Sequence, residues 1–264
     1  MSRAWDPTQY VRFADHRIRP ALELLARIDH HYPASVVDLG CGTGEMARIM
    51  KARWADAQVT GLDHSSDMLR EASAADGEVG WQKDDITTWT PDRPVDVIFS
   101  NAALHWLPDH RDLFPRLTSY LAPGGVLAVQ MPLSWPEPSH VLMREILEEG
   151  GLGRTPLGPE SLRIRLGRNW VADPTYYYDI LTPLVDSMDI WTTRYLQVLQ
   201  GFEPVFEWVK GTGLRPVLES LDGPDLDRFV AAYREGLIAT YPPRGDGTTI
   251  YPFPRLFIVA KATA

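Results

Sequence analysis

Residues 36–44 read Val-Val-Asp-Leu-Gly-Cys-Gly-Thr-Gly, a short apolar run that ends in an acid and then places glycine at every second position. The apolar residues suit a buried parallel strand. Gly40, Gly42 and Gly44 allow the backbone to turn sharply and to approach a ligand with no side chain in between. The stretch therefore predicts a strand followed by a nucleotide-cofactor loop.

The spacing of the glycines indicates which cofactor this loop would hold. A dinucleotide-binding loop reads G-x-G-x-x-G and holds a pyrophosphate at a helix N-terminus, whereas the third glycine here comes one residue early. This spacing disfavours a nicotinamide dehydrogenase. Asp38 stands beside the loop, where a carboxylate suits a cation better than a diphosphate. S-adenosylmethionine carries a sulfonium and an α-ammonium group, and the run resembles the first motif of class I methyltransferases.

Further cofactor contacts are expected at strand ends, because ligands of open α/β sheets bind at the carboxyl ends of the strands. Asp63 ends the second predicted strand and could accept both ribose hydroxyls, while Ser65 and Ser66 are available to cap the next helix. In the methyltransferase pattern an acid and an aliphatic residue after the third strand take the adenine. The predicted cofactor-binding residues are Asp38, Gly40, Cys41, Gly42, Asp63, His64, Met68, Asp85, Ile86 and Asn101, and no metal is predicted.

Composition limits the classes of partner. The net charge is -9 in 264 residues, which argues against a nucleic-acid surface because affinity for phosphate backbones comes from clustered Lys and Arg. Cys41 is the one cysteine, so no internal disulfide is expected and a reducing cytoplasm is the predicted location. No apolar run approaches a membrane span, and Trp5 and Asp6 stand where a signal peptide would need apolar residues. The oligomeric state is left open, with a monomer plausible.

Helical and strand patterns alternate along the chain as a doubly wound sheet requires. Predicted strands cover residues 35–39, 58–62, 79–83, 95–100, 125–131, 188–196 and 253–261. Predicted helices cover 19–28, 45–53, 66–75, 139–149 and 226–241, with another that starts near 109 and contains Pro115. The Gly/Arg-rich segment 150–168 is expected to be a mobile loop. Arg163, Arg165 and Arg168 within it are expected mainly to keep it soluble.

A closer resemblance extends over nearly the whole chain. The stretches 5–10, 19–26, 106–110, 125–132, 137–145, 177–181, 207–216 and 253–260 resemble trans-aconitate 2-methyltransferases. The run Trp-Val-Lys-Gly-Thr-Gly-Leu-Arg-Pro at 208–216 is far more specific than the glycine motif. The segment 150–170 follows no recognised pattern of that family, which leaves the identity of the acid open.

The resemblance implies a fold and a division of the chain. The fold is a Rossmann-like α/β class I methyltransferase, with a mainly parallel seven-stranded sheet, helices on both faces and a mostly helical substrate cover. Residues 1–264 would form a single methyltransferase domain. Within it, 1–131 would hold most of the cofactor core, 132–250 the substrate cover and 251–264 the last, hairpin-paired strand.

The implied reaction transfers a methyl group from S-adenosylmethionine to a carboxylate of trans-aconitate, giving a monomethyl ester and S-adenosylhomocysteine. A polycarboxylate needs guanidinium and hydroxyl donors. Candidates for contacts with the acid are Tyr10, Arg17, Trp106, Tyr177, Tyr178, Arg194, Arg215 and Arg255, with Arg19 beside them. Each arginine taken singly could equally form a structural ion pair.

His105 is the predicted catalytic residue, in a positioning role. A carboxylate is already ionised at neutral pH, so no strong base is required. His105 could equally pack against Trp106. Two other functions stay open: methylation of another small-molecule or natural-product acceptor on the same scaffold, and binding of the cofactor without turnover.

Overall fold

A computed structural model describes residues 18–74, 77–151, 155–211 and 213–264. Two of the predicted contacts with the acid, Tyr10 and Arg17, lie outside the described residues. The chain divides into two compact units. Of the described residues, the first unit holds those within 1–132, 170–193 and 255–264, and the second holds those within 133–169 and 194–254.

The strands and helices alternate along the first half of the chain. The strands are β1 (Ser35–Leu39), β2 (Gln58–Asp63), β3 (Gly80–Lys83), β4 (Val95–Asn101), β5 (Leu121–Pro132), β6 (Val185–Leu199) and β7 (Thr249–Ala262). The helices are α1 (Arg19–Ala26), α2 (Glu45–Arg53), α3 (Ser66–Ser73), α4 (His110–Ser119), α5 (Pro138–Glu149), α6 (Glu160–Gly167), α7 (Pro174–Leu181), α8 (Pro204–Lys210), α9 (Arg215–Leu218) and α10 (Gly223–Thr240). Short 3-10 turns cover Leu104–Trp106 and Thr182–Leu184.

The strands form one seven-stranded sheet in the order β3-β2-β1-β4-β5-β7-β6. The first five are parallel to their neighbours, and β7 runs antiparallel to β5. This confirms the predicted mainly parallel, doubly wound sheet. The strand order reverses between β1 and β4, and such a switch point is where open α/β sheets bind ligands.

The central strands of the first unit are buried on both faces, as parallel strands usually are. Val97, Ile98 and Phe99 of β4 and Leu127 of β5 are completely inaccessible to solvent. This packing fixes the carboxyl ends of β1, β4 and β5 beside one another. The glycine loop after β1 therefore starts from a rigid base.

The second unit is mainly helical and has its own apolar core. Buried side chains from α5, α8 and α10 pack together, among them Leu147, Phe206, Val209 and Phe229. The buried Ser139 hydroxyl lies 3.1 Å from the hydroxyl of Tyr251 inside this core. The predicted helices at 139–149 and 226–241 are thus confirmed to within a few residues.

The predicted mobile loop at 150–168 is wrong over part of its length. Residues 160–167 of the expected mobile loop form helix α6. Leu162 is buried in the core of the second unit, and Arg163 donates to the Gly158 carbonyl at 2.8 Å and pairs with Glu148 at 3.3 Å. Arg163 is therefore structural rather than a solubilising residue.

Candidate functional site

The glycine loop takes the left-handed conformation that its sequence predicted. Gly40, Gly42 and Gly44 have φ values of 75°, 55° and 80°, a region that other residues enter only with strain. The amides of Gly40 and Cys41 both donate to the Leu62 carbonyl, at 2.8 and 3.0 Å. These two bonds tie the loop to the end of β2.

Two of the turn positions have no room for a side chain. A Cβ atom on Gly40 would lie 2.3 Å from the Cβ atom of Ala103, and one on Gly44 would lie 2.2 Å from the Trp81 ring. The same ring lies 2.5 Å from the position of a Cβ atom on Gly61. Real Cβ atoms do not approach this closely. Glycine is therefore a steric requirement at position 40, where the opposing atom is fixed to the backbone, whereas a larger residue at position 44 or 61 would require the Trp81 ring to move. Neither Ala103 nor Trp81 was predicted from the sequence.

The Asp63 carboxylate links the loop to the end of β2. Its Oδ2 atom accepts from the Gly42 amide at 2.9 Å, and its Oδ1 atom accepts from the Ser65 amide at 2.9 Å. Ser65 caps α3, accepting from the Met68 amide at 3.4 Å, which confirms that a serine fills the capping role. His64 Nδ1 lies 3.5 Å from Asp63 Oδ1, on a largely exposed side chain.

Asp38 is a buried carboxylate beside this loop, with 2% of its surface exposed. Burial, followed by the nearby charge of Asp63, raises the pKa of Asp38 to about 7, and a hydrogen bond from the Ala47 amide partly opposes the rise. Asp38 Oδ2 is buried without a hydrogen-bond partner within the described ranges. The site therefore offers an acceptor suited to a cation. Burial and the same two carboxylates raise the pKa of the Cys41 thiol, so this thiol stays protonated.

The expected adenine residues lie after β3. Asp85 Oδ1 accepts from the amide and the hydroxyl of Thr87, at 2.8 and 2.7 Å, and these bonds lower the pKa of Asp85. Ile86 Cδ1 lies 3.7 Å from the position of a Cβ atom on Gly40, so the structure brings it against the glycine loop. Met68 is about one-third exposed on α3.

The carboxyl end of β4 carries a strained turn. Ala102, a non-glycine residue, has a φ of 54°, a conformation that costs roughly 1–2 kcal/mol. Its amide donates to the Gln130 carbonyl at 2.9 Å. The His105 and Trp106 rings follow in the 3-10 turn with centroids 4.6 Å apart, and Trp106 is 56% exposed. Strain of this kind often marks functional sites.

Polar side chains share one face of the sheet at this edge. In the strand pairing, Asp38 of β1 is opposite Phe99 of β4, and Asn101 of β4 is opposite Gln130 of β5. Gln130 is in turn opposite Phe257 of β7, and Arg255 lies two residues before Phe257. Because paired residues and alternate residues share a face, the four polar side chains lie on the same face. Asn101 Oδ1 and Gln130 Nε2 are buried with no hydrogen-bond partner in the described part of the chain.

Gln130 was missed at the sequence level, although it interrupts the apolar run of β5. It is fully buried, and its Oε1 atom accepts from Arg255 Nη1 at 3.3 Å. Arg255 is itself 7% exposed. A polar residue in the middle of a buried strand is the signal that could have identified it.

The other candidates for the acid lie in different surroundings. Tyr177 is fully buried and its hydroxyl contacts His110 and the Ala172 amide, which differs from the available donor that we predicted. Tyr178 on the same helix is 55% exposed. In the second unit, Arg194 pairs with Glu137 and Arg215 pairs with Glu219, both at 3.2 Å. Arg19 pairs with Glu23 on α1.

No group of three or more His, Cys, Asp or Glu residues that could hold a metal ion occurs among residues 18–74, 77–151, 155–211 and 213–264. No helix of the same ranges is long and apolar enough to cross a membrane.

Known proteins resemble the chain over nearly its full length. Residues 10–176 match the family described as a methyltransferase domain. A trans-aconitate 2-methyltransferase of Azoarcus sp. is 47% identical over 258 residues, covering 97% of this chain and 98% of that protein. The protein of the same name from Methylobacterium radiotolerans is 44% identical over 257 residues, again 97% of this chain and 98% of the relative.

Solved structures share the fold at low identity. Phosphoethanolamine N-methyltransferase 2 of Haemonchus contortus, in complex with S-adenosyl-L-methionine, matches with a TM-score of 0.53 and 18% identity, over 93% of this chain and 52% of that one. This likeness supports the sheet architecture and nothing finer. The sequence relatives carry the classification, since their similarity includes both units: the chain belongs to the trans-aconitate 2-methyltransferase family of methyltransferase-domain proteins.

Proposed function

We propose that the protein is an S-adenosylmethionine-dependent carboxyl O-methyltransferase that converts trans-aconitate, or a similar small polycarboxylic acid, into its monomethyl ester. The observation that carries this proposal is the similarity to trans-aconitate 2-methyltransferases across 97% of the chain. Cofactor motifs alone would not identify an acceptor. The similarity to these relatives also covers β7 and the second unit. These are the regions that we expect to select the acid.

The residues around the glycine loop fit the cofactor. The spare buried oxygen of Asp38 suits the α-ammonium group, and Asp63 at the tip of β2 suits the ribose hydroxyls. The loop glycines keep side chains away from the ligand. We assign Asp85 and Ile86 to the adenine, with His64 and Met68 beside it, and Asn101 to the methionine end. Cys41 contributes its backbone to the loop.

The chemistry asks the protein mainly to position and shield the reactants. When bound, S-adenosylmethionine supplies an electrophilic methyl group on its sulfonium. The acceptor carboxylate is ionised at neutral pH, so the protein must hold it in place and keep water away from it. His105 and Trp106 follow the strained Ala102 turn, and we assign them a positioning role on the acceptor side.

Arg255 and Gln130 are the strongest candidates for holding a carboxylate. A guanidinium presents a planar set of donors that matches a carboxylate. The amide nitrogen of Gln130 adds a buried donor on the same face of the sheet. Arg194, Arg215 and Tyr178 stay candidates for the remaining carboxylates, together with Trp106.

Arg255→Lys should raise the KM for trans-aconitate by about 10-fold or more, because lysine keeps the charge but loses the planar fork. The dissociation constant for S-adenosylhomocysteine should change little. Steady-state kinetics and calorimetry would measure both quantities. Arg70→Lys is the matched control, since Arg70 forms an exposed ion pair with Asp67. An unchanged acceptor KM in Arg255→Lys would make Arg255 a structural residue.

Cofactor affinity should depend on pH through Asp38. Its pKa of about 7 in the ligand-free protein means that below this pH a proton must leave before the carboxylate can accept from an ammonium group. The same raised pKa destabilises the ligand-free fold progressively from about pH 4 to about pH 7, and the cost is constant above that. Affinity for S-adenosylhomocysteine should thus rise about 20-fold between about pH 5.5 and about pH 7.5.

The Asp38→Asn variant is the control for this pH dependence. Its affinity should be weaker at neutral pH and nearly flat over the same range, whereas every histidine remains. Calorimetry in buffers of different ionisation enthalpy would also count the proton released. An equally steep profile in Asp38→Asn would assign the titration to another group.

A panel of acids tests the proposed reaction. Trans-aconitate, cis-aconitate, citrate and isocitrate would be offered separately with S-adenosylmethionine, and mass spectrometry would identify methyl esters and S-adenosylhomocysteine. We expect fast turnover of trans-aconitate. Turnover of other acids alone would favour another small-molecule acceptor. Cofactor binding with no turnover of any acid would favour a binding module.

The remaining assignments extend this proposal. Residues 1–131 would supply most of the cofactor core, 132–250 the acceptor-side cover and 251–264 the last strand of a single methyltransferase domain. The partner would be a small anionic acid rather than nucleic acid or membrane, and the location cytoplasmic. No metal is assigned a role in this reaction.

A further inference from the structure

A buried chain of hydrogen bonds runs through the first unit. The Ala172 amide lies 3.1 Å from the Tyr177 hydroxyl, which lies 2.6 Å from His110 Nδ1. His110 Nε2 lies 3.0 Å from the Leu104 carbonyl oxygen. Tyr177 is fully buried and His110 is 4% exposed. The reaction as proposed above uses neither residue.

The direction of each hydrogen bond follows from its partners and from the charge of His110. An amide can only donate and a carbonyl can only accept, so His110 Nε2 carries the hydrogen given to the Leu104 carbonyl and the Tyr177 oxygen accepts from the Ala172 amide. Burial lowers the pKa of His110, although the Leu104 and Leu107 carbonyls and the Asp109 charge act to raise it. The imidazole is therefore neutral, and its Nδ1 atom, which carries no hydrogen, accepts the hydrogen of the Tyr177 hydroxyl. Burial also raises the pKa of Tyr177, so its hydroxyl keeps the proton.

The chain of hydrogen bonds ends at the turn that follows β4. Leu104 begins the 3-10 turn that carries His105 and Trp106, and the strained Ala102 lies two residues before Leu104. Within the turn, the Trp106 amide donates to the Ala103 carbonyl at 3.2 Å and the Leu107 amide donates to the Leu104 carbonyl at 3.0 Å. A strained backbone persists only where its surroundings hold it. The imidazole supplies such a hold from outside the turn.

Aromatic packing holds the His110 imidazole and the Tyr177 phenol in place beside each other. The Phe114 ring lies with its centroid 5.2 Å from that of His110 and 4.8 Å from that of Tyr177. Tyr176 packs edge-on to Tyr177 at 5.5 Å. Since Phe114 touches both members, removal of one hydroxyl should leave the packing intact. The hydrogen bonds can therefore be tested separately from the core.

We propose that His110 and Tyr177 are positioning residues, which fix the turn that presents His105 and Trp106 to the acceptor acid. This inference rests on the proposed function. Neither residue touches the reactants. Their effect should appear in acceptor kinetics, while the glycine loop, Asp63 and Asp85 stay unaffected.

The test compares Tyr177→Phe, His110→Phe and His110→Gln with the wild type, and uses Tyr176→Phe as the matched control. We expect kcat with trans-aconitate to fall about 10-fold in His110→Phe and somewhat less in Tyr177→Phe. His110→Gln should recover part of the loss, because its amide can still donate to Leu104. The dissociation constant for S-adenosylhomocysteine should stay within about twofold throughout. A purely structural role would lower the melting temperature and leave kcat and KM unchanged well below it.

Hydrogen exchange gives a readout that does not depend on turnover. Residues 102–107 should exchange faster in Tyr177→Phe and His110→Phe but not in Tyr176→Phe, while residues 40–44 keep their wild-type protection. If His110→Phe does not fold, Tyr177→Phe carries the comparison. Wild-type kinetics and exchange in the folded variants would overturn the inference. If the wild-type protein turned over none of the acids, the proposed function would be overturned instead. The exchange measurement would still decide whether the His110 and Tyr177 hydrogen bonds hold the turn.

Discussion

Replacing Gly40 with alanine is expected to weaken binding of S-adenosylhomocysteine by at least about 30-fold. The new Cβ atom would lie 2.3 Å from the Cβ atom of Ala103, and both atoms are fixed to backbone that cannot rotate away. The φ of 75° adds strain of its own. Together these effects cost roughly 2–5 kcal/mol, which the loop would relieve by leaving the binding conformation. Calorimetric titration would measure the loss.

Gly42→Ala separates the two causes. Gly42 also has a positive φ, but a Cβ atom there would meet nothing within 4 Å. We expect this variant to lose only about 10-fold in affinity, from backbone strain. Adding Ala103→Gly to Gly40→Ala should restore part of the affinity, because it removes the opposing atom. Equal losses in Gly40→Ala and Gly42→Ala, with no recovery in the double variant, would show that the contact with Ala103 is unimportant.

Asp63→Ala should weaken cofactor binding by about 10-fold to 100-fold, equivalent to roughly 1–3 kcal/mol. The substitution removes the proposed acceptor for the ribose hydroxyls. It also leaves the Gly42 and Ser65 amides without the carboxylate oxygens that lie 2.9 Å from each. Binding should be measured at about pH 8, because loss of the Asp63 charge lowers the pKa of Asp38 and would otherwise favour the variant.

Asp67→Ala is the control for this substitution. Asp67 lies on α3, pairs with Arg70 and is 82% exposed. Its removal should change cofactor affinity by less than about twofold. Wild-type affinity in Asp63→Ala would refute the ribose assignment. A shift of the pH profile without any loss at high pH would leave Asp63 with an electrostatic role alone.

The glycine-loop region could be predicted because its signals are local. The bounds predicted for β1 and α2 agree with the structure, since an apolar run, an acid and three glycines define them within a few residues. The strand β5 begins at Leu121, earlier than the predicted start at residue 125. Pro123 and Gly124 indicated a turn, yet Leu121 already pairs with Val95 before a shift of register in the ladder. Irregular pairing of this kind depends on the neighbouring strand.

The rest of the site depends on distant contacts that no local pattern shows. Tyr177 resembles an available hydroxyl in the sequence, but its partner His110 is 67 residues away. Helix α6 forms in a Gly/Arg-rich segment because Leu162 finds a place in an apolar core. The sequence marks Gln130 as a polar residue in an apolar strand, but its partner Arg255 is 125 residues away and is brought beside it only by β7. In each case the role of the residue depends on a neighbour that is distant in the sequence.

The ring of Trp81 makes the residue types that are compatible at positions 61 and 81 depend on each other. It lies over Gly61, its direct partner in the β2–β3 ladder, where an added Cβ atom would meet the ring at 2.5 Å. Gly61 has no positive φ, so neighbouring side chains rather than the backbone disfavour a larger residue there. These neighbours are the Trp81 ring and the Cys41 Sγ atom, which lies 3.0 Å from the position of the added Cβ atom. A larger residue at position 61 therefore requires that the ring move or that residue 81 be smaller. Libraries that randomise positions 61 and 81 together should return more non-glycine residues at position 61 than libraries that randomise position 61 alone.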